Sequence, residues 1–380
     1  MAAKEELPAN CENRNLDIYL NNAIRNIMTN AYRAALSNPG ESLFILKMKS
    51  IFAKAEKRRK RFLTHERLHI PPFLISSIAT DCNLACKGCY ARSHEICGVR
   101  GENRKEELTP EQWRKIFTEA ARAGVVFNLL AGGEPLLRKD ILEAAASVKD
   151  MIFPLFTNGT LINDYYVKFF SKHLNLIPVL SLEGEMDDTD GRRGQGVFDR
   201  VVRAMKLLKE RGLLYGASIT VTTENLDTAT ALSYVNMLGN AGCKIIFYVE
   251  YVPVEDHTSH LALDEKGISR METRLENLRK QRRDVLFLSF PGDEKAMGGC
   301  LAAGRGFFHI SPDGKAEACP FSPYSDSNVA HLGFMETLKS PFFARLRDSG
   351  LVGGTPHTGG CTLFEYREEV ENAIKHRITQ

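Results

Sequence analysis

Three cysteines stand at C-x3-C-x2-C spacing in Asp81-Cys82-Asn83-Leu84-Ala85-Cys86-Lys87-Gly88-Cys89-Tyr90. An apolar run at residues 73–80 (FLISSIAT) precedes them directly, so a strand ending in a short loop can aim three thiolates at one point. Three thiolates suit a 4Fe–4S cluster with one iron left unligated, because such clusters are held by Cys sulfur and normally use four. An iron with an open position can bind a further molecule, as a catalytic zinc with three protein ligands does. Other uses of the three fit less well. Zinc sites draw four ligands from paired Cys/His motifs, and no second C-x2-C exists here. Three cysteines cannot all pair as disulfides, and inert buried cysteines do not usually gather at this spacing.

Around this loop the bulk numbers are ordinary. A chain of 380 residues can hold one large domain and a smaller one, and 43% hydrophobic with 26% charged residues fits a globular protein rather than a disordered one. A net charge of +3 gives no argument for nucleic acid as a partner. No run of eighteen apolar residues predicts a transmembrane span, and the polar N-terminus MAAKEELPANCENRN does not read as a signal peptide. Nine cysteines, an odd number, favour metal or cluster ligation in a reducing, cytoplasmic compartment over disulfides.

The elements that must position the loop can be read in order. Residues 1–15 read as disordered, and 16–36 carry apolar residues at helical spacing with a stop at Asn38-Pro39-Gly40. A second helix over 42–61 ends in Lys54, Lys57, Arg58, Arg59, Lys60 and Arg61. That run is either a solvated helix end, where cations suit the macrodipole, or a peripheral contact with anionic lipid or an acidic substrate segment. From residue 73 strand, loop and helix repeat, with strands predicted at 73–79, 125–131, 152–157, 176–182, 215–222 and 244–251. Thr109-Pro110-Glu111-Gln112 forms a capping box that opens one of the helices, and Gly124 closes it. Six βα units of nearly continuous apolar strands predict an α/β fold with a parallel sheet. Periodicity alone does not separate a partial barrel from an open doubly wound sheet. A polar helix (265–283) and a short strand (285–290) follow. Pro312-Asp313-Gly314 then turns a hairpin that sets Cys300 and Cys319 at its two feet, with Cys361 farther along.

The cysteine motif followed by Tyr90 resembles the signature of the radical S-adenosylmethionine (radical SAM) superfamily. The resemblance implies that SAM chelates the open iron through its amino and carboxylate groups and accepts one electron. Methionine and a 5′-deoxyadenosyl radical result, and the radical abstracts hydrogen from a substrate. It also implies a partial (βα)6 TIM-like barrel and a flavodoxin- or ferredoxin-type electron donor. Gly132-Gly133-Glu134-Pro135 is similar to the superfamily's GGEP motif, where glycines let backbone approach the ligand and Glu134 would receive SAM's ammonium. Ser181-Leu182-Glu183-Gly184 with Arg192 and Arg193 resembles the pattern whose serine and arginine contact SAM, and spacing makes the two arginines equal rivals. Asn225 would contact ribose or cap a helix. Residues 300–361 resemble a SPASM or Twitch extension, which holds auxiliary iron–sulfur clusters with about seven cysteines in its full form. Only Cys300, Cys319 and Cys361 are present, so one auxiliary 4Fe–4S cluster is the most implied, its fourth position open, water-bound, or filled by His357 or Glu365. A degenerate extension without a cluster is the rival. Cys97, near the loop, and Cys243 read as bystanders.

The expected organisation is therefore an N-terminal helical segment (1–69), a radical SAM barrel (70–284) and a small α+β auxiliary domain (285–380). The function implied is radical modification of a peptide or protein. The alternatives are a small molecule or membrane lipid as substrate, or a non-catalytic iron–sulfur electron carrier.

Overall fold

The computed structural model describes residues 39–99, 106–353 and 361–375. The expected helix over 16–36, Cys11 and His357 lie outside the described residues.

Among the described residues there are eleven strands: β1 (Phe73–Ala79), β2 (Asp81–Cys82), β3 (Gly98–Val99), β4 (Phe127–Gly132), β5 (Phe153–Thr157), β6 (Leu176–Leu182), β7 (Gly216–Val221), β8 (Ile245–Glu250), β9 (Leu286–Phe290), β10 (His309–Ile310) and β11 (Ala316–Glu317). Nine form one sheet in the order β11-β10-β1-β4-β5-β6-β7-β8-β9, parallel throughout except for the β10–β11 hairpin. The six strands expected from periodicity are its middle. Helices between them bury Trp113, Phe117, Ile141, Phe170, Val201 and Leu208 against Leu74, Leu130, Leu155, Leu180 and Ile219. Alternation sends the other side chains into the concave face, where Phe156 and Phe247 meet at 5.2 Å. Phe307 lies 5.2 Å from Phe73 on β1 and 5.8 Å from Phe290 on β9, so the two limbs of the arc bend toward one another as a partial barrel requires.

Helix α1 (Pro39–Glu66) runs longer than the 42–61 expected and ends where Arg67 takes a positive φ of 52°. Met48, Ile51, Phe52 and Ala55 pack under Val126, Ile152 and Ile177, which closes the amino-terminal end of the barrel. Two cations of the basic run turn inward. Arg58 bonds Asp150 and the Ala121 carbonyl, and buried Arg59 donates to the Gly124 carbonyl at 2.6 Å. Lys54, Lys57, Lys60 and Arg61 remain on the surface.

The sheet runs on past residue 284. β9 continues beside β8, and β10 lies parallel to β1 with Ile75 opposite His309. A buried chain ties that edge, with Ser77 Oγ 2.8 Å from His309 Nε2 and His309 Nδ1 2.7 Å from Glu317.

Candidate functional site

At the carboxyl end of β1 the cysteine loop is held from three sides. The Gly133 N–H donates to the Ala79 carbonyl at 2.7 Å and the Glu134 N–H to the Asp81 carbonyl at 2.8 Å. Only glycine permits this approach, since a Cβ at 133 would stand 2.2 Å from the Asp81 oxygen and one at 132 would stand 2.6 Å from that of Ala79. From a second side, the Lys87 N–H donates to the Arg192 carbonyl at 2.9 Å. From the third, Tyr251 lies so close to Gly88 that a Cβ there would strike its hydroxyl.

Cys82, Cys86 and Cys89 are each half-buried. Burial pushes the Cys82 thiol up to about 11 and raises that of Cys86. Cys89 goes the other way, to about 6, because the Cys97 thiol hydrogen-bonds it and the Arg92 and Ala91 peptides add to the effect. Cys97 is thus part of the loop's surroundings, brought there by the pairing of β2 with β3. Sequence spacing carried no sign of this contact. Among the described residues no three His, Cys, Asp or Glu side chains gather closely enough to hold a single metal ion. A cubane cluster does not ask for that, because each of its thiolates binds a different iron.

The other expected residues surround the loop. Glu134 is fully buried and accepts bonds from the Leu136 N–H, the Thr157 hydroxyl and the Asn158 N–H, the last at Oε2. A carboxylate has about four acceptor sites, so roughly one direction is left for a cation. Arg192 and Arg193 both bond Glu183 Oε1 at 2.6 Å. Arg192 also reaches the Thr220 hydroxyl, and Arg193 acts electrostatically on Cys86 and Glu134. Ser181 is half-buried on the concave face and pairs in register with Ser218. Asn225 spends its amide within the protein. It donates to the Glu183 and Thr220 carbonyls and accepts from the Thr222 N–H, which fixes the Glu183 loop rather than presenting a donor to a ligand.

The second thiol set is deeper. The Ala303 N–H bonds the Ala318 carbonyl, which brings the segments bearing Cys300 and Cys319 together. Cys319 and Cys361 hydrogen-bond each other, and both interact with Cys300. Burial raises the thiols of Cys300 and Cys319. Glu365 is exposed, whereas Glu294, which no motif marked, is buried beside this group and is pushed up to about 8 by desolvation. Tyr90 links the two regions by an edge contact with Phe321 at 5.1 Å.

Residues 76–233 match the family described as the Radical SAM superfamily. This chain carries a radical SAM domain. The chain is 33% identical over 165 residues to Fe-coproporphyrin III synthase of Methanosarcina barkeri, which covers 42% of this chain and 40% of that protein. Longer matches reach the AdoMet-dependent heme synthase of M. barkeri (25% identity, 78% of this chain and 89% of the relative) and the mycofactocin maturase MftC of Mycolicibacterium smegmatis (25%, 79% and 80%). The fold is that of SuiB of Streptococcus suis bound to S-adenosylmethionine, with a TM-score of 0.61 and 18% identity over 86% of this chain and 75% of that one.

The residues of the radical SAM domain fit the group its name implies. Three thiols line a loop whose backbone is pinned, and two buried polar atoms beside it, the Tyr251 hydroxyl and Glu183 Oε2, have no protein partner. Such orphaned groups are costly in an interior and are accounted for when a polar ligand sits against them.

Proposed function

We propose that this chain is a radical SAM enzyme in which Cys82, Cys86 and Cys89 hold a 4Fe–4S cluster. The chemistry such a cluster supplies when bound is one-electron reduction of the SAM sulfonium, which yields methionine and a 5′-deoxyadenosyl radical. The observation that carries this reading is the glycine-dependent docking of Gly132-Gly133-Glu134 onto the cysteine loop, with the Glu183–arginine group beside it.

The chain's own part is positioning, since a radical must form within near-attack distance of its hydrogen donor. Arg192 and Arg193 offer guanidinium donors to the SAM carboxylate, held in place by Glu183. Ser181 serves the ribose side, and Tyr251, with its unpaired hydroxyl, forms the far wall. Glu134 ties down Leu136, Thr157 and Asn158 and keeps one acceptor direction for the methionyl ammonium. Helix α1 seals the opposite end with Met48, Ile51 and Phe52, which helps keep water from the concave face.

The substrate we favour is a peptide or protein side chain, supported by the extent of the match to a maturase. A small molecule is the second reading, supported by the synthases of iron–porphyrin type among the relatives. A lipid substrate at a membrane loses ground because Arg58 and Arg59 of the basic run are engaged inside the protein. The non-catalytic carrier has no use for the arginine and glycine positions beside the loop. Cys300, Cys319 and Cys361 would hold one auxiliary 4Fe–4S cluster, and a flavodoxin- or ferredoxin-type protein in the cytoplasm would supply electrons.

Anaerobic reconstitution with iron and sulfide tests both parts. About eight irons per chain are expected, falling to about four in the Cys82→Ala/Cys86→Ala/Cys89→Ala variant, with loss of dithionite-dependent 5′-deoxyadenosine. A wild type that fills to about four and a variant that holds none would remove the auxiliary cluster. A fully loaded wild type in which SAM does not protect the loop from chelation would count against the SAM site.

A further inference from the structure

Beside the auxiliary thiols lies a carboxylate that the proposed reaction leaves unused. Glu294 sits on the short turn Gly292–Met297 that follows β9, and only 3% of it is exposed. It grips Cys300 from both sides of that residue. Its main-chain carbonyl accepts the Gly299 N–H at 3.0 Å, and its Oε1 accepts the Leu301 N–H at 3.2 Å. Among the described residues Oε2 accepts no hydrogen bond, and no lysine, arginine or histidine forms an ion pair with this carboxylate. The neighbouring Arg305 guanidinium is spent on the carbonyls of Met297, Gly299 and Cys300.

A side chain only 3% exposed that engages one carboxyl oxygen and leaves the other without a hydrogen bond can take a further partner there. Its electrostatic neighbours are Cys361, Cys300 and Glu250, opposed by Arg305, and the two cysteines bear negative charge when they ligate a metal. Three thiols plus one carboxylate make four donors, the number a 4Fe–4S cluster takes. Cationic iron among these groups would give Oε2 a partner and convert the repulsion into ligation.

We propose that Glu294, through Oε2, is the fourth protein ligand of the auxiliary 4Fe–4S cluster held by Cys300, Cys319 and Cys361. The assignment rests on the reading that such a cluster is present. It leaves no open iron at that cluster, so the substrate does not bind there as a ligand, and the cluster's role is to take or pass electrons. Glu365, the other carboxylate that acts on Cys361, is exposed, whereas Glu294 is buried.

The test uses the full chain carrying Cys82→Ala/Cys86→Ala/Cys89→Ala, so that only the auxiliary site can load. After anaerobic reconstitution, iron content, the EPR spectrum of the dithionite-reduced protein and its response to added imidazole are compared with and without Glu294→Gln or Glu294→Ala. Expected is a parent protein with about four irons and a spectrum indifferent to imidazole. Either substitution shifts the spectrum, makes it sensitive to imidazole, and lets mild ferricyanide remove one iron that the parent keeps. Glu294→Gln preserves shape, so a fold defect confined to the alanine variant does not obscure the result. A parent that binds no iron overturns the cluster and this ligand together. A loaded parent whose spectrum, imidazole response and iron retention are unchanged by both substitutions overturns the ligand alone, as does sensitivity that appears with His357→Ala instead.

Discussion

Glu183 binds two guanidinium groups through one oxygen while its other oxygen has no protein partner, and only 1% of its side chain is exposed. Breaking a buried ion pair from one side strands a charge, which costs about 3–5 kcal/mol. The Arg192→Ala/Arg193→Ala variant is therefore expected to lose about that much stability in urea denaturation, and adding Glu183→Gln should return a large part of it. If the triple variant is no more stable than the double, the charge is not what matters. The thiols give a second residue-level expectation. In metal-free protein at pH 7, Cys89, at about 6, is largely thiolate, whereas Cys82, at about 11, is nearly all thiol. Thiolate is the nucleophile, so limiting iodoacetamide should alkylate Cys89 first, and peptide mapping that found the loop's cysteines labelled equally would refute the ordering. At this scale the sequence disclosed what is local. The cysteine spacing, the paired glycines and the two arginines each lie within a dozen residues of one another. Cys97 and Glu294 escaped because their meaning comes from burial and from neighbours brought by the fold, and neither sits in a pattern.

Among the elements, the segment after β4 has the narrowest tolerance. Gly133→Ala would place a Cβ 2.2 Å from a backbone oxygen that no rotamer change can move. Overpacking of this kind costs about 1–3 kcal/mol, and here it bears on the cysteine loop. Lower thermal stability and a loss of iron uptake at the loop are expected together; normal loading in a destabilised variant would show that the loop can shift without harm. Strand periodicity placed the six middle strands to within about two residues, because each is covered by helices on one face, lines the concave side with the other, and reads as a nearly continuous apolar run. Helix α1 exceeds its reading because Phe62, past the basic run, still packs against the core. The attachment of β10 to β1 was not legible, since Ile75 and His309 are far apart in sequence and a two-residue strand has no period.

On the scale of the whole molecule, one sheet spans the boundary expected near residue 284. The cysteine loop and the β10–β11 hairpin share β1, and the buried Ser77–His309–Glu317 chain fastens them. A single cooperative transition is therefore expected when tryptophan fluorescence, from Trp113 buried on the helix that precedes β4, is compared with far-ultraviolet circular dichroism. Two separated transitions would mean that the hairpin folds as its own unit.

The shared sheet has a consequence for how electrons could travel. Cys300 and Cys319, on segments next to β10 and β11, are tied through one sheet to the loop after β1 without a hinge, so with both proposed clusters in place an electron would pass from one to the other with no diffusive encounter. Thickening the solvent with glycerol or sucrose, which slows motions of tethered domains, should leave that step's rate where it was.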